Sequence, residues 1–110
     1  MEDREGIGRT EAVYREVNEA IAQTAGRFDA GAVDLVCECG DAECTARVTA
    51  DLATYERVRA HPTQFILMPG HEQPAVERVV ERRDDYAIVE KIERTVARIA
   101  RRLNPRASTA

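Results

Sequence analysis

Three cysteines lie close together in this 110-residue chain, within the segment VCECGDAEC that ends at Cys44. Cys37, Cys39 and Cys44 are the only cysteines of the chain, and their spacing is C-x-C-x4-C. A tight turn can bring such side chains toward one ion, and three thiolates with one further ligand complete the tetrahedron that zinc prefers. Gly40 follows the second cysteine and lets the backbone bend around the sulfur atoms. The spacing therefore predicts a zinc site.

Two histidines compete for the fourth position of this site. His71 follows a Pro-Gly turn at the end of an apolar segment, where a loop can reach the cysteine turn. His61 lies at the C-terminal end of a predicted short helix, where the helix dipole favours a protonated imidazole over a metal-bound one. The sequence favours His71. Asp41 and Glu43 are the carboxylate alternatives, although cysteine-rich zinc sites usually close with cysteine or histidine.

Two other interpretations of the cysteines stay open, namely a redox-active thiol cluster and buried thiols without chemistry. The inert interpretation is disfavoured because Cys39 and Cys44 lie in a strongly polar segment. A catalytic zinc site needs an open position and a nearby general acid or base. Glu72, next to His71, is a candidate base, and the zinc-deaminase pattern with P-C-x-x-C is absent. The sequence therefore favours a structural zinc site over an enzyme.

The composition is that of a small globular domain. Hydrophobic residues make up 44% and charged residues 33% of the chain, which argues against wholesale disorder. No apolar run approaches the ~18 residues needed to span a bilayer, and the polar, acidic N-terminus does not resemble a signal peptide. We therefore expect a cytoplasmic protein without a membrane partner, in a compartment where thiols stay reduced.

The hydrophobic pattern predicts an α+β fold, with an N-terminal helix, a small mostly antiparallel sheet around the zinc-bound turn, and a C-terminal amphipathic helix. Thr10 is the expected N-cap of the first helix. The predicted elements are a helix at 10–25, strands at 32–37, 45–49 and 64–68, a helix at 51–60, a hairpin formed by 75–82 and 86–89, and a helix at 90–103. The alternative for 75–82 is a helix. Residues 1–9 are expected to be frayed, 10–104 to form one zinc-stapled domain, and 105–110 to be a flexible tail.

The C-terminal helix carries an excess of positive charge. From residue 91 onward there are six basic residues and one acidic residue, against a net charge of −4 for the chain. On a helical wheel the basic side chains fall on one side, opposite an apolar stripe. This basic ridge consists of Lys91, Arg94, Arg98, Arg101 and Arg102. It could face phosphates, but a solvated face near a helix C-terminus is the favoured interpretation.

The chain also resembles a family of small actinobacterial proteins. The resemblance rests on the CECG…C turn, the YERVRAHPTQF segment, the PGHE loop and the VVER…YAIVEK segment, and it covers residues 11–92. It places Cys37, Cys39, Cys44 and His71 together in the shared pattern, which implies that these four are zinc ligands. At Ile88 the family often has valine, a trivial difference. The family implies no established activity.

The function expected from these features is a small zinc-binding domain with a structural Cys3His site. Because no catalytic constellation is visible, we expect a protein-interaction or regulatory module that binds another protein or itself. Two alternatives remain, which are a nucleic-acid-binding regulator that uses the basic ridge and a thiol-based redox or zinc sensor.

Overall fold

The computed structural model describes residues 3–28 and 31–106. The described residues form an α+β fold with a helix at each end, as predicted. In chain order the elements are α1 (Arg4–Arg27), β1 (Ala32–Val36), β2 (Arg47–Asp51), α2 (Leu52–Arg59), β3 (Gln64–Leu67), β4 (Glu77–Arg82), β5 (Ala87–Lys91) and α3 (Arg94–Arg102). None of the helices in the described segments has the length and apolarity to cross a bilayer.

The strands form two antiparallel sheets rather than the single sheet predicted. One is the β1–β2 ribbon, and the other has the order β3–β5–β4. The chain passes from one sheet to the other directly after β1. Cys37 N–H still bonds Ala46 O, just before the start of β2, at 3.0 Å, whereas Glu38 N–H bonds Ile66 O in β3, at 2.9 Å. The cysteine turn is therefore the junction between the two sheets.

Helix α1 begins six residues earlier than predicted and includes most of the segment, residues 1–9, that was expected to be frayed. Asp3, not Thr10, is the N-cap, and its carboxylate accepts a hydrogen bond from Gly6 N–H at 2.5 Å. A capping side chain satisfies one of the free N–H groups of the first turn. Residues 1 and 2 lie outside the described residues.

The hairpin of β4 and β5 is confirmed over the helical alternative, and it extends further than predicted. Lys91 is the last residue of β5 and pairs with Glu77 across the ladder. Helix α3 consequently begins at Arg94, where Glu93 caps it by accepting a hydrogen bond from Val96 N–H at 2.9 Å. The first residues of the segment 90–103 therefore belong to a strand, because pairing with β4 outweighs their helical periodicity.

The C-terminal segment is held against the domain by ion pairs of Arg106. The guanidinium of Arg106 donates to Glu19 of α1 at 2.8 Å and to Glu56 of α2 at 2.7 Å. The predicted flexible tail, 105–110, therefore begins with anchored residues, and 107–110 lie outside the described part of the chain.

The interior is unusually polar for so small a protein. Apolar side chains such as Leu35 and Ile66 are fully buried, yet three cations surround the ring of Phe65. The charged ends of Arg15, Arg59 and Lys91 lie 4.8, 5.3 and 4.8 Å from its centroid. Such cation–π contacts gain strength when water is excluded.

Candidate metal centre

The structure brings together the four residues that the sequence predicts as ligands. Cys37, Cys39, Cys44 and His71 each offer one ligand atom, and these atoms all lie within 4.8 Å of one another. Cys37 and Cys39 are buried, Cys44 is half-buried and His71 is exposed. The cluster therefore lies at the surface, with its imidazole side toward solvent.

Each cysteine sulfur also accepts a hydrogen bond from a backbone N–H group. Met68 N–H donates to Cys37 Sγ at 3.2 Å. Asp41 N–H donates to the Cys39 sulfur and Ala46 N–H to the Cys44 sulfur. Such donors hold thiolates in place and balance part of their charge, as the outer shell of a metal site does.

Glu38, between the first two cysteines, anchors the turn in the interior. Its side chain is fully buried and accepts hydrogen bonds from Asn18 Nδ2 at 2.7 Å and from Ile66 N–H at 3.0 Å. Arg59 Nη2 lies 3.6 Å from the same carboxylate and balances its charge. Because alternate side chains of an extended segment point to opposite sides, a buried Glu38 directs Cys37 and Cys39 to the other side together.

The second half of the turn is held by Asp41 and by Tyr14 of α1. The Asp41 carboxylate accepts from Glu43 N–H at 2.9 Å, which closes the turn locally. The Tyr14 hydroxyl lies 2.9 Å from Asp41 O and 3.3 Å from Cys44 O, so it bonds the backbone on both sides of this turn. Asp41 thus has a structural task, and neither it nor Glu43 belongs to the ligand cluster.

His71 reaches the cysteines through the Pro69–Gly70 turn that follows β3. His71 N–H bonds Met68 O at 3.0 Å, and Gly70 adopts φ +94°, a conformation that favours glycine. His61, the competing histidine, lies exposed behind the C-terminal end of α2 and outside the cluster.

Glu72 is engaged in structural contacts rather than directed at the cluster. It accepts from Arg82 at 3.0 Å and from Gly70 N–H at 2.9 Å. The hydrogen bond from Arg82 lowers the pKa of Glu72. These contacts hold the loop that carries His71.

The three thiols share their protons unequally. The hydrogen bond with Cys37, assisted by Asp41 N–H and His71, lowers the pKa of Cys39 to about 5. The same hydrogen bond and burial raise the pKa of Cys37, and burial raises the pKa of Cys44. One thiolate can therefore exist without a metal, whereas three so close together need a cation to balance their charge.

Two distances within the cluster match those expected around tetrahedral zinc. Zn–S bonds of about 2.3 Å and Zn–N bonds of about 2.0 Å, at tetrahedral angles, place sulfur and nitrogen about 3.5 Å apart. His71 Nδ1 lies 3.5 Å from Cys37 Sγ and 3.6 Å from Cys44 Sγ. Nδ1 is therefore the nitrogen positioned to bind. Three thiolates and an imidazole suit a borderline-soft ion rather than magnesium or calcium.

Known proteins offer no guide to this site. No family model, no curated protein and no solved structure matches the chain. The resemblance to the actinobacterial family therefore stays a prediction, and the candidate site rests on its own geometry.

The predicted basic ridge is present only in part. Lys91 does not belong to it, because its side chain is buried and pairs with Glu11 and Glu77. The remaining members are exposed on α3, and none forms an ion pair with another described residue. They are Arg94, Arg98, Arg101 and Arg102.

Sequence reasoning missed three residues that support the cluster. Asn18, Tyr14 and Glu38 hold the turn through contacts with residues distant in the chain. The sequence contains one signal for them, since Glu38 lies between Cys37 and Cys39, whose side chains are expected to point to the same side of the chain. A polar residue in that place must either face solvent or find buried partners, and the pattern alone does not decide between them.

Proposed function

We propose that this protein is a small zinc-binding domain in which a structural Cys3His site joins the two sheets. The observation that carries the proposal is the pair of distances from His71 Nδ1 to Cys37 Sγ and Cys44 Sγ, 3.5 and 3.6 Å. Three ligands lie in the turn that leaves the β1–β2 ribbon, and the fourth follows β3. A bound ion therefore cross-links the two sheets, and its binding energy stabilises the fold.

Metal analysis of the protein purified without a metal-affinity tag tests this site. We expect one equivalent of zinc in the wild type and loss or marked weakening of binding in His71→Ala. His61→Ala is the matched control, because the second histidine lies outside the cluster, and it should keep its zinc. Absence of metal from the wild type, or equal retention in both variants, would overturn the proposal. The thiols would then have to be examined as a redox cluster.

The zinc-stapled domain acts as an interaction or regulatory module. Two features support this role. Glu72, the candidate base, is bound to Arg82, and a Cys3His set supplies the four ligands that structural zinc sites take. Apolar side chains exposed on α1 supply a surface for a partner, with Val13 60% exposed. The corresponding expectation is a partner whose binding is lost when zinc is removed by a chelator and returns when zinc is restored.

Four exposed arginines favour a second candidate function, the binding of nucleic acid by α3. Arg94, Arg98, Arg101 and Arg102 fall within a sector of about 100° on the helix and have no acidic partner among the described residues. Affinity for duplex DNA and for single-stranded RNA should then fall steeply with salt and should be lost when the four become glutamine. Replacing the exposed Arg47 and Arg78, which lie on strands, is the control. Absence of binding at low salt removes this candidate.

A further inference from the structure

The outward face of α1 carries apolar side chains that no described element covers. Val13 is 60% and Val17 is 42% exposed. With successive residues about 100° apart on a helix, both lie within one sector of about 100° together with Arg9, Glu16 and Ala20, all exposed. Single exposed valines are ordinary, but an apolar stripe on one helix face, bordered by charges, is typical of a binding surface.

Val13 stands between two clefts of this face. One cleft, of about 420 Å³, is lined by Arg9, Ala12, Val13, Glu16 and Leu103. The other, of about 190 Å³, is lined by Thr10, Val13, Tyr14 and Ala42. Helices pack by inserting the side-chain ridge of one helix into the groove of another. Val13, with a cleft on each side, offers both a ridge and a groove.

The charges of this face are arranged to complement a second copy of themselves. Arg9 lies four residues before Val13, and Glu16 lies three residues after it. A two-fold axis perpendicular to α1 near Val13 makes the two helices antiparallel. Each Arg9 then lies beside the Glu16 of the other copy, because in an isologous contact both copies use the same surface. Glu16 has no ion-pair partner among the described residues, and Arg9 has one weak exposed pair, with Glu5 at 3.8 Å.

We propose that two copies of this chain associate through α1, antiparallel and centred on Val13. The partner of this interaction module is thus a second molecule of the same protein. The contact is small, so it produces a weak, reversible dimer rather than an obligate one. The helix stripe alone provides the core of the contact.

The metal turn forms one edge of this surface. Ala42 lies in the turn and lines the smaller cleft, and Tyr14 bonds the backbone on both sides of it. Metal dependence of the dimer is the part of the inference that rests on the proposed zinc site. Removing the metal frees the turn, so we expect weaker association of the metal-free protein.

Sedimentation velocity of the full chain, from about 1 to about 100 μM, tests the surface over the range in which a weak dimer dissociates. The metal-loaded wild type should shift from monomer to dimer. Val13→Glu should weaken association at least about tenfold, because it buries an unpaired charge. Val80→Glu is the matched control, since that valine is 43% exposed but lies on β4. A monomeric wild type at every concentration, or equal behaviour of the two variants, would overturn the proposal.

Charge reversal tests the two-fold arrangement. Arg9→Glu alone and Glu16→Arg alone each place like charges across the contact and should weaken it, whereas an equimolar mixture of the two variants should associate again. A mixture that stays monomeric would exclude the antiparallel pairing. Zinc content measured on the same samples separates the two proposals. If the protein binds one equivalent of zinc but does not dimerise, the proposed dimer surface is wrong and the zinc site stands. If the protein binds no zinc, the proposed zinc site is wrong.

Discussion

Gly40 is the position in the metal turn at which a side chain has no room. A Cβ built there would lie 2.8 Å from Cγ2 of Ile7, in the first turns of α1. Its backbone angle φ is not in the positive region that Gly70 adopts, so the turn needs glycine for close packing rather than for conformational freedom. The sequence argument for this glycine gave the correct residue and the wrong reason.

Replacing Gly40 with alanine should therefore destabilise the protein by about 1–3 kcal/mol, as overpacking in a close contact does. It should also lower the affinity for zinc, because the turn carries Cys39. Urea unfolding and competition with a zinc chelator measure the two effects. Gly26→Ala is the control, since nothing lies within 4 Å of its added methyl group. In the Ile7→Ala background, which lacks the contacting methyl group, Gly40→Ala should cost less than it does in wild type. An equal cost in both backgrounds would point to another cause.

Helix α1 supports the candidate metal centre although it contributes no ligand. It holds the cysteine turn at two places, through Asn18 to the carboxylate of Glu38 and through Tyr14 to the carbonyls of Asp41 and Cys44. Partners of this kind orient the ligands of a metal site and affect its affinity almost as the ligands do. The helix is thus part of the site in the energetic sense.

Tyr14→Phe removes only the hydroxyl and should weaken zinc binding by about tenfold, the lower end of the range for such supporting groups. Competition with a chromophoric zinc chelator at fixed pH measures the change. Tyr86→Phe is the matched control, because Tyr86 is half-buried in the β4–β5 hairpin and packs against the hydrophobic cluster that contains Leu35 and Ile66. Equal affinities of the two variants would mean that Tyr14 does not contribute to the site.

The sequence predicted those helices and strands whose apolar residues recur at the regular spacing of the element. The β4–β5 hairpin was predicted correctly because its signal lies within a short segment. The structure also brings together the four residues predicted as ligands. Lys91 was assigned to a helix, since its spacing to Arg94 and Arg98 is helical, but pairing with Glu77 keeps it in a strand. The burial of Glu38 could not be predicted from the sequence either, because its hydrogen-bond partners Asn18 and Ile66 are 20 and 28 residues away in the chain.

At the scale of the whole molecule, one ammonium group faces two buried carboxylates. Lys91 Nζ binds both Glu11 and Glu77, with all three side chains buried. One positive charge cannot balance two negative ones in the interior. Burial, opposed by Lys91 and increased by the charge of Glu77, raises the pKa of Glu11 from 4.5 to about 7.

The sign of the resulting pH dependence follows from that shift. A carboxyl whose pKa is higher in the folded state favours folding when it is protonated, so this contribution is complete below pH 4.5 and is lost as the pH rises to about 7. Glu11→Gln imitates the protonated form. Its free energy of unfolding relative to wild type should therefore increase by up to about 3 kcal/mol across this range.

Urea unfolding of both proteins at several pH values, with the zinc content measured in each sample, gives the difference. The exposed carboxylate of Asp85 provides the control, and Asp85→Asn should differ from wild type by a nearly constant amount. A flat difference for Glu11→Gln would show that folding does not raise the pKa of Glu11.

The ligand positions along the chain also fix an order of events during synthesis. The three cysteines lie within eight consecutive residues, whereas His71 comes 27 residues after Cys44. Short loops close at little entropic cost, so a growing chain can hold an ion with its sulfur atoms before β3 has been made. The imidazole then arrives together with the second sheet. If the proposed zinc site forms in this order, the ion would act as a template for the second sheet, and His71 would complete its coordination last.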